Sequence, residues 1–239
     1  MIKLFKYISL SIVTLYLIYS SNVFAGKILK YDIKKQESLH DNSVLFFMHG
    51  WGSSKKWYKE IISEFGDDFT IVILQAPYRM GWFSGKFSWY DWQIVDGDTT
   101  SNQEQINFSS QSVLRTINHI IRKENLDIKN VFIGGQSQGA IMACKLASEH
   151  PESMRGFFAH NGRLPVVFKP VNSDSFSKLH GLILNGKYDK VLPPKYAKSI
   201  VNKFKNLGVN IDSISPEIGH GMPKESWRMI QEWINSIIR

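Results

Sequence analysis

Short, almost unbroken apolar runs alternate along the chain with longer stretches in which apolar residues recur every three or four positions. Val44-Leu45-Phe46-Phe47-Met48 has no polar member, the pattern of a strand covered on both faces. Comparable runs predict strands at Phe69–Leu74, Val131–Gly134, Gly156–His160, Gly181–Leu184 and Val209–Ile214. Between them, Glu104 to Lys123 spaces Ile106, Val113, Ile117, Ile120 and Ile121 as one face of a long amphipathic helix. Pro193 to Leu207 opens on prolines suited to a first helical turn, carries Tyr196, Ile200, Phe204 and Leu207, and is stopped by Gly208. Glu225 to Ile238 predicts a last helix burying Trp227, Ile230, Trp233, Ile234 and Ile237. Strands alternating with helices in this way predict an α/β fold, with a mostly parallel central sheet and helices on both faces.

One stretch breaks the alternation. Arg79 to Gln103 is a long connection that contains Trp82, Phe83, Phe87, Trp89, Tyr90 and Trp92. Loops of that length in a folded domain are functional or disordered, and so many aromatics argue for a folded excursion able to wall an apolar pocket.

Composition changes this picture at the N-terminus. Lys3 and Lys6 precede an apolar stretch from Tyr7 to Tyr19, and Val23-Phe24-Ala25 sets small residues at the −3 and −1 positions before Gly26. Residues 1–25 therefore read as a secretory signal peptide, and 26–239 as one domain exported to the periplasm or medium. The alternative is an uncleaved anchor, since the apolar run is nearly long enough to span a bilayer. The 239 residues carry a net charge of +8, spread in small pairs such as Lys34-Lys35 and Lys55-Lys56. No basic stripe interleaved with aromatics is present, so nucleic acid is not an expected partner; weak attraction to an anionic membrane surface is the most the charge suggests. The single Cys144 lies in an apolar helical pattern and forms no internal disulfide, so it is expected to be an inert, buried thiol.

The candidate chemistry lies in Val131-Phe132-Ile133-Gly134-Gly135-Gln136-Ser137-Gln138-Gly139-Ala140. A buried strand runs into a glycine-flanked serine, and a helical pattern follows from Ile141 to Ser148. Chance alone produces G-x-S-x-G in roughly one chain in ten of this length. Its strand–turn–helix setting is what marks a nucleophile elbow. In folds built around such an elbow the acid and then the histidine follow the serine. His160, His180 and His220 are the histidines after Ser137. Asp189 stands just beyond the strand Gly181–Leu184, where open α/β sheets place their sites, whereas Asp212 falls within a strand and Asp174 in a polar surface stretch. Downstream of Asp189 only His220 remains, in Ile218-Gly219-His220-Gly221-Met222-Pro223. Ser137 as nucleophile, His220 as base and Asp189 as its orienting acid form the expected triad. Two backbone N–H groups are needed for the oxyanion. Gln138, next after the nucleophile, supplies one; Trp51, in His49-Gly50-Trp51-Gly52 after the first central strand, supplies the other. His49 itself is expected to support that loop. This chemistry calls for no metal and no cofactor.

These residues together resemble the carboxylesterase/phospholipase group of α/β-hydrolases, which includes acyl-protein thioesterases and lysophospholipases. The resemblance runs from about Val44 to Ile238. It rests on Met48-His49-Gly50-Trp51-Gly52, Ala76-Pro77, Ser88-Trp89-Tyr90-Asp91, Gly135 to Ala140 with its Ser-Gln pair, Asn161-Gly162-Arg163-Leu164-Pro165, and the loops of Asp189 and His220. It implies the α/β-hydrolase fold and carries Ser137, Asp189 and His220 over as the triad, with the Trp51 and Gln138 amides as oxyanion hole. It further implies that the regions of Trp89 and Leu164 line an acyl pocket, and that the substrate is a small-molecule or lipid ester. An export signal departs from the cytoplasmic habit of the thioesterases, which disfavours lipidated cytoplasmic proteins as substrates. Glycines on both sides of His220 leave the closure of its loop open. An esterase for polysaccharide-linked acetyl or feruloyl groups is the second enzymatic reading, with the aromatic excursion as a sugar platform. A non-catalytic binding protein on the same scaffold is the third.

Overall fold

The computed structural model describes residues 26–35, 43–63, 68–96, 98–126 and 130–238. The export segment read at residues 1–25 lies outside the described residues. In chain order, strand β1 (Tyr31–Lys34) is followed by β2 (Val44–Met48), helix α1 (Lys55–Ser63) and β3 (Thr70–Leu74). Four short strands come next: β4 (Tyr78–Met80), β5 (Lys86–Ser88), β6 (Trp92–Val95) and β7 (Asp98–Ser101). Then follow α2 (Gln103–Glu124), β8 (Val131–Gln136), α3 (Gln138–Glu149), β9 (Gly156–His160), β10 (His180–Leu184), α4 (Lys195–Asn206), β11 (Asn210–Ile214) and α5 (Lys224–Ile238).

The apolar runs form the sheet. Its seven strands lie in the order β1-β3-β2-β8-β9-β10-β11, all pairs parallel except the edge pair β1–β3. Period-two alternation sorts side chains to the two faces. From β2, Val44, Phe46 and Met48 join the core that holds Ile106, Val113, Ile117 and Ile120 of α2, Met142 and Leu146 of α3, and Ile200 and Phe204 of α4. Leu45 and Phe47 face the opposite core, with Tyr58 of α1 and Trp227, Ile230, Trp233 and Ile234 of α5. Helices therefore cover both faces, as the continuous apolar strands require.

The chain steps from β2 to β3 on one side, then crosses through α2 to β8 on the other. The order reverses at β2, so the carboxyl ends of β2 and β8 flank a topological switch point, where α/β sheets bind ligands. There the packing is very close. A Cβ placed on Gly139, in the first turn of α3, would lie 2.0 Å from the Met48 carbonyl oxygen. Glycine alone lets α3 approach the end of β2.

The six central strands and the helices α2, α3, α4 and α5 lie where the hydrophobic pattern puts them, within a few residues. Outside the excursion, two elements have no counterpart in that pattern. Strand β1, Tyr-Asp-Ile-Lys, is a short half-buried edge, too polar to register as a run. Helix α1 starts after Ser53-Ser54 and is only nine residues long. The excursion at Arg79 to Gln103 is folded, as two antiparallel hairpins, β4–β5 and β6–β7. Its aromatics divide: Trp82 and Phe83 at the first hairpin tip are 81% and 90% exposed, whereas Trp89 and Tyr90, between the hairpins, are buried.

Because the Gly139 contact is with backbone, which cannot swing aside, Gly139→Ala should lower unfolding stability by about 1–3 kcal/mol. Urea melts of the two proteins give the comparison.

Candidate active site

Ser137 sits between β8 and α3 with φ +55° and ψ −114°. A non-glycine residue in that region is strained and persists only where its surroundings over-determine it. Here the Ser137 N–H donates to the His160 carbonyl at the end of β9 (2.9 Å), and its carbonyl accepts from Ile141 N–H one helical turn on (3.1 Å). Strand and helix thus fix the turn from both sides, and the hydroxyl projects from the carboxyl edge of the sheet.

The two residues expected to serve it arrive from separate loops. Asp189 follows β10 and is buried; its Oδ1 accepts from the N–H groups of Val191 (2.8 Å) and Leu192 (2.9 Å). That turn leaves Oδ2 to accept from Nδ1–H of His220 at 2.8 Å. His220 Nε2 lies 2.9 Å from Ser137 Oγ, as acceptor of the hydroxyl proton. With the carboxylate fixing the proton on Nδ1, Nε2 is free to act as base. Ser137, His220 and Asp189, named from sequence order, are brought together as one hydrogen-bonded chain.

The loop after β2 is shaped by His49. Its ring is fully buried, with Nδ1–H donating to the Gly50 carbonyl (2.8 Å) and Nε2 accepting from Ala76 N–H (3.2 Å) and from the Gln75 side-chain amide (3.0 Å). Burial pushes its pKa down to about 4, against a slight opposing effect of the Gly50 hydrogen bond, so it stays neutral. In a trans peptide C=O and N–H point opposite ways. Holding the Gly50 carbonyl toward His49 therefore turns the Trp51 N–H away from it. Among the described residues, neither the Trp51 N–H nor that of Gln138, the first residue of α3, is taken by a protein acceptor. Gln138 N–H also lies at the positive end of the helix dipole.

The Gln138 side chain does work that the motif alone did not disclose. It is buried, its Oε1 accepting from Trp89 N–H and its Nε2 donating to the Tyr90 carbonyl, both at 2.8 Å. Trp89 Nε1–H in turn donates to the His49 carbonyl at 2.8 Å, and its own carbonyl accepts from Ser109 Oγ at 2.5 Å. The indole is 0% exposed. The resemblance implies that the Trp89 region lines an acyl pocket; with no surface of its own open, Trp89 itself instead braces the Ser137 turn against the loop of Trp51. Leu164 is partly buried on the core, and its loop packs on the start of α3, where Gly162 faces the Ala140 side chain. The Trp51 ring is half exposed, edge-on to Trp92 with centroids 6.0 Å apart.

Two neighbours of Ser137 and His220 lie at the end of β9. His160 is buried at the end of β9 with Nε2 3.0 Å from Ser226 Oγ, and burial, helped by nearby His220, drives its pKa down to about 3. Asn161 follows it. The sequence offers His160 as one of the histidines after Ser137 and Asn161 as the first residue of Asn161-Gly162-Arg163-Leu164-Pro165, but neither signal assigns a role. Cys144 is buried, and burial raises its thiol pKa, consistent with an inert side chain. Among the described residues no cluster of three or more His, Cys, Asp or Glu is placed to hold a metal ion.

Comparison with known proteins bears on this arrangement as a whole. A family model described as phospholipase/carboxylesterase matches residues 31–238. Acyl-protein thioesterase 1 homolog 1 of Dictyostelium discoideum is 24% identical over 215 residues, covering 86% of this chain and 95% of that protein. Lysophospholipase-like protein 1 of Mus musculus is 26% identical over 211 residues, covering 81% and 86%. Among solved structures, the Bacillus cereus carboxylesterase superposes with a TM-score of 0.74 at 15% identity, covering 92% of this chain and 98% of the other. The carboxylesterase from Mesorhizobium loti gives 0.74 at 19% identity, covering 87% and 94%. At such identities the structural likeness speaks for the α/β-hydrolase fold.

The two buried histidines have a consequence for stability. Both have folded pKa values, about 4 and about 3, below the ordinary 6.5. The unfolded chain therefore binds protons first on acidification, and the stability these groups contribute, full above pH 6.5, is lost as pH falls toward 4. Thermal melts from pH 7 to pH 4 should show a falling Tm, and His160→Gln should make that decline shallower.

Proposed function

The chain belongs to the phospholipase/carboxylesterase family of serine carboxylic-ester hydrolases, and we propose that it hydrolyses carboxylic esters through an acyl-enzyme on Ser137. The observation that carries this is the His220 ring, bridging Asp189 at 2.8 Å and Ser137 at 2.9 Å. Ser137 Oγ attacks the acyl carbonyl carbon while its proton passes to His220 Nε2. The carbonyl oxygen becomes an oxyanion, met by the N–H groups of Trp51 and Gln138. As the intermediate collapses, the bond to the alcohol oxygen breaks, and His220 returns the proton to that leaving group. Water, deprotonated by the same ring, then attacks the acyl carbon; the bond to Ser137 Oγ breaks, His220 returns the proton to that oxygen, and the acid leaves. Asp189 remains ionised throughout and steadies the imidazolium.

The favoured substrates are esters of short to medium acyl chains, or lysophospholipids. The half-exposed Trp51 ring and the Leu164 loop, packed near Ala140, supply apolar surface beside the nucleophile. The relatives bearing thioesterase and lysophospholipase names are in keeping with an acyl chain bound there. One observation favours a second reading. A cleft of about 320 Å³, lined by Asp91, Trp92, Gln93, Thr100, Ser101 and Asn102, opens beside the Trp51–Trp92 pair. An aromatic face among hydroxyl and amide groups suits a sugar ring carrying the ester. For the compartment, the basic, apolar and small-residue succession in residues 1–25 supports export with cleavage near Ala25.

Ser137→Ala should lower turnover of p-nitrophenyl butyrate by about ten-thousand-fold or more; unchanged turnover would refute the proposal. Across a graded series of p-nitrophenyl acyl esters and acetyl-xylan, the leading reading predicts a preference among the acyl esters. Preference for acetyl-xylan would favour the second. Protein recovered from the periplasm or medium should begin at Gly26, and recovery of the intact N-terminus on the membrane would refute cleavage.

A further inference from the structure

His220 stands in a loop with no grip of its own. Gly219 and Gly221 flank it, both exposed, and open space surrounds the positions their side chains would fill. Yet the imidazole must hold two hydrogen bonds at once, and a misplacement of about 1 Å at such a group can cost a hundred-fold in rate. The anchor comes from elsewhere. Asn161, directly after β9, is fully buried with φ +50°. That left-handed conformation is one that asparagine tolerates better than most residues. Its side-chain amide donates to the carbonyls of Gly219 (3.1 Å) and Gly221 (3.2 Å), one on each side of His220. Its Oδ1 accepts from the N–H of Gly186 at 2.7 Å, in the loop that leads to Asp189. Gln136 Nε2 donates to the intervening His220 carbonyl at 2.9 Å.

We propose that Asn161 is a positioning residue for catalysis, clipping the histidine loop to the acid loop so that His220 meets Asp189 and Ser137 together. The inference rests on the triad reading given above. Only a short amide fits the task. Two donors and one acceptor of the buried Asn161 side chain are used simultaneously, which a carboxylate, hydroxyl or alkyl group cannot match. The seam it closes is tight: a Cβ on Gly186 would lie 2.4 Å from the carbonyl oxygens of Ile218 and Gly219. Neighbouring backbone bonds, Lys187 N–H to Pro216 O (2.8 Å) and Tyr188 N–H to Ile218 O (3.0 Å), join the two loops as far as residue 218. Beyond that point Asn161 and Gln136 take over.

Two substitutions separate this role from a merely structural one. Asn161→Gly accepts the left-handed backbone and deletes the amide. Asn161→Asp keeps the acceptor for Gly186 and replaces both donors with oxygen that repels the two carbonyls. Full-length variants would be compared with p-nitrophenyl butyrate as substrate, and the proton shared by His220 Nδ1 and Asp189 would be followed by NMR as a downfield resonance. Both variants should lose about 10- to 100-fold in kcat with KM within twofold, and the downfield resonance should broaden or vanish well below Tm. Should the glycine variant fail to fold, the aspartate variant carries the test on the same readings. A folded variant with kcat within twofold of the parent, or with the resonance unchanged, would overturn the inference. Ser137→Ala, measured alongside, distinguishes the two levels: if it abolishes turnover while Asn161→Gly does not, the clip fails and the triad stands. If Ser137→Ala leaves turnover intact, the triad reading itself fails.

Discussion

The end of β2, the end of β8 and the first turn of α3 meet in very close contact around Ser137. Helix α3 comes so near the Met48 carbonyl that no side chain fits at Gly139. That crowding forces the chain through a turn with Ser137 at φ +55°, an unfavourable conformation held by hydrogen bonds to His160 and Ile141. The strain has a chemical use. It lifts the Ser137 hydroxyl clear of the sheet and leaves the Gln138 N–H at a helix start with no acceptor among the described residues, where the proposed hydrolysis would develop negative charge. Loosening of the contact would release the Ser137 turn and the Gln138 N–H together.

The remaining parts are tied back to this turn by buried, hydrogen-bonded polar groups. Gln138 reaches out to Trp89 and Tyr90, Trp89 reaches across to His49, and His49 sets the peptide that presents Trp51 N–H. On the other side Gln136 holds the His220 carbonyl, and Asn161 holds the residues flanking it. A buried polar network of this kind is stable only when every member is satisfied. Satisfied, it would preorganise the donors and base of the proposed hydrolysis at no cost during reaction. The neutral state of His49 belongs to the same logic: an imidazolium there would be an uncompensated buried charge.

The hydrophobic pattern revealed the central strands and long helices because a fully covered sheet demands continuous apolar runs, which few other structures produce. It missed β1 and α1, whose short lengths and polar residues leave no periodic trace. It showed that Arg79 to Gln103 must be folded without showing that its strands pair as two hairpins, since pairing depends on turns that a mixed polar sequence does not specify. The grouping of Ser137, Asp189 and His220 was legible through order and loop position, which the fold constrains. The supports were not. Asn161 contacts residues 25 to 60 positions away, and Trp89 differs from exposed Trp82 only in what lies across from it. Such roles come into being with tertiary contact, and a linear pattern does not encode them. His49 was the exception, because its place beside the expected oxyanion loop suggested a support.

The central claim is that one strained turn brings nucleophile, base and oxyanion donors to a single reacting carbon. A crystal structure of the protein inactivated by a fluorophosphonate ester tests it most directly, because the phosphonyl oxygen stands in for the oxyanion. Phosphorus should be bonded to Ser137 Oγ, with its oxygen within about 3.1 Å of the N–H groups of both Trp51 and Gln138. His220 should remain joined to Asp189. Phosphorus on any other residue, or an oxygen turned away from those two amides, would contradict it.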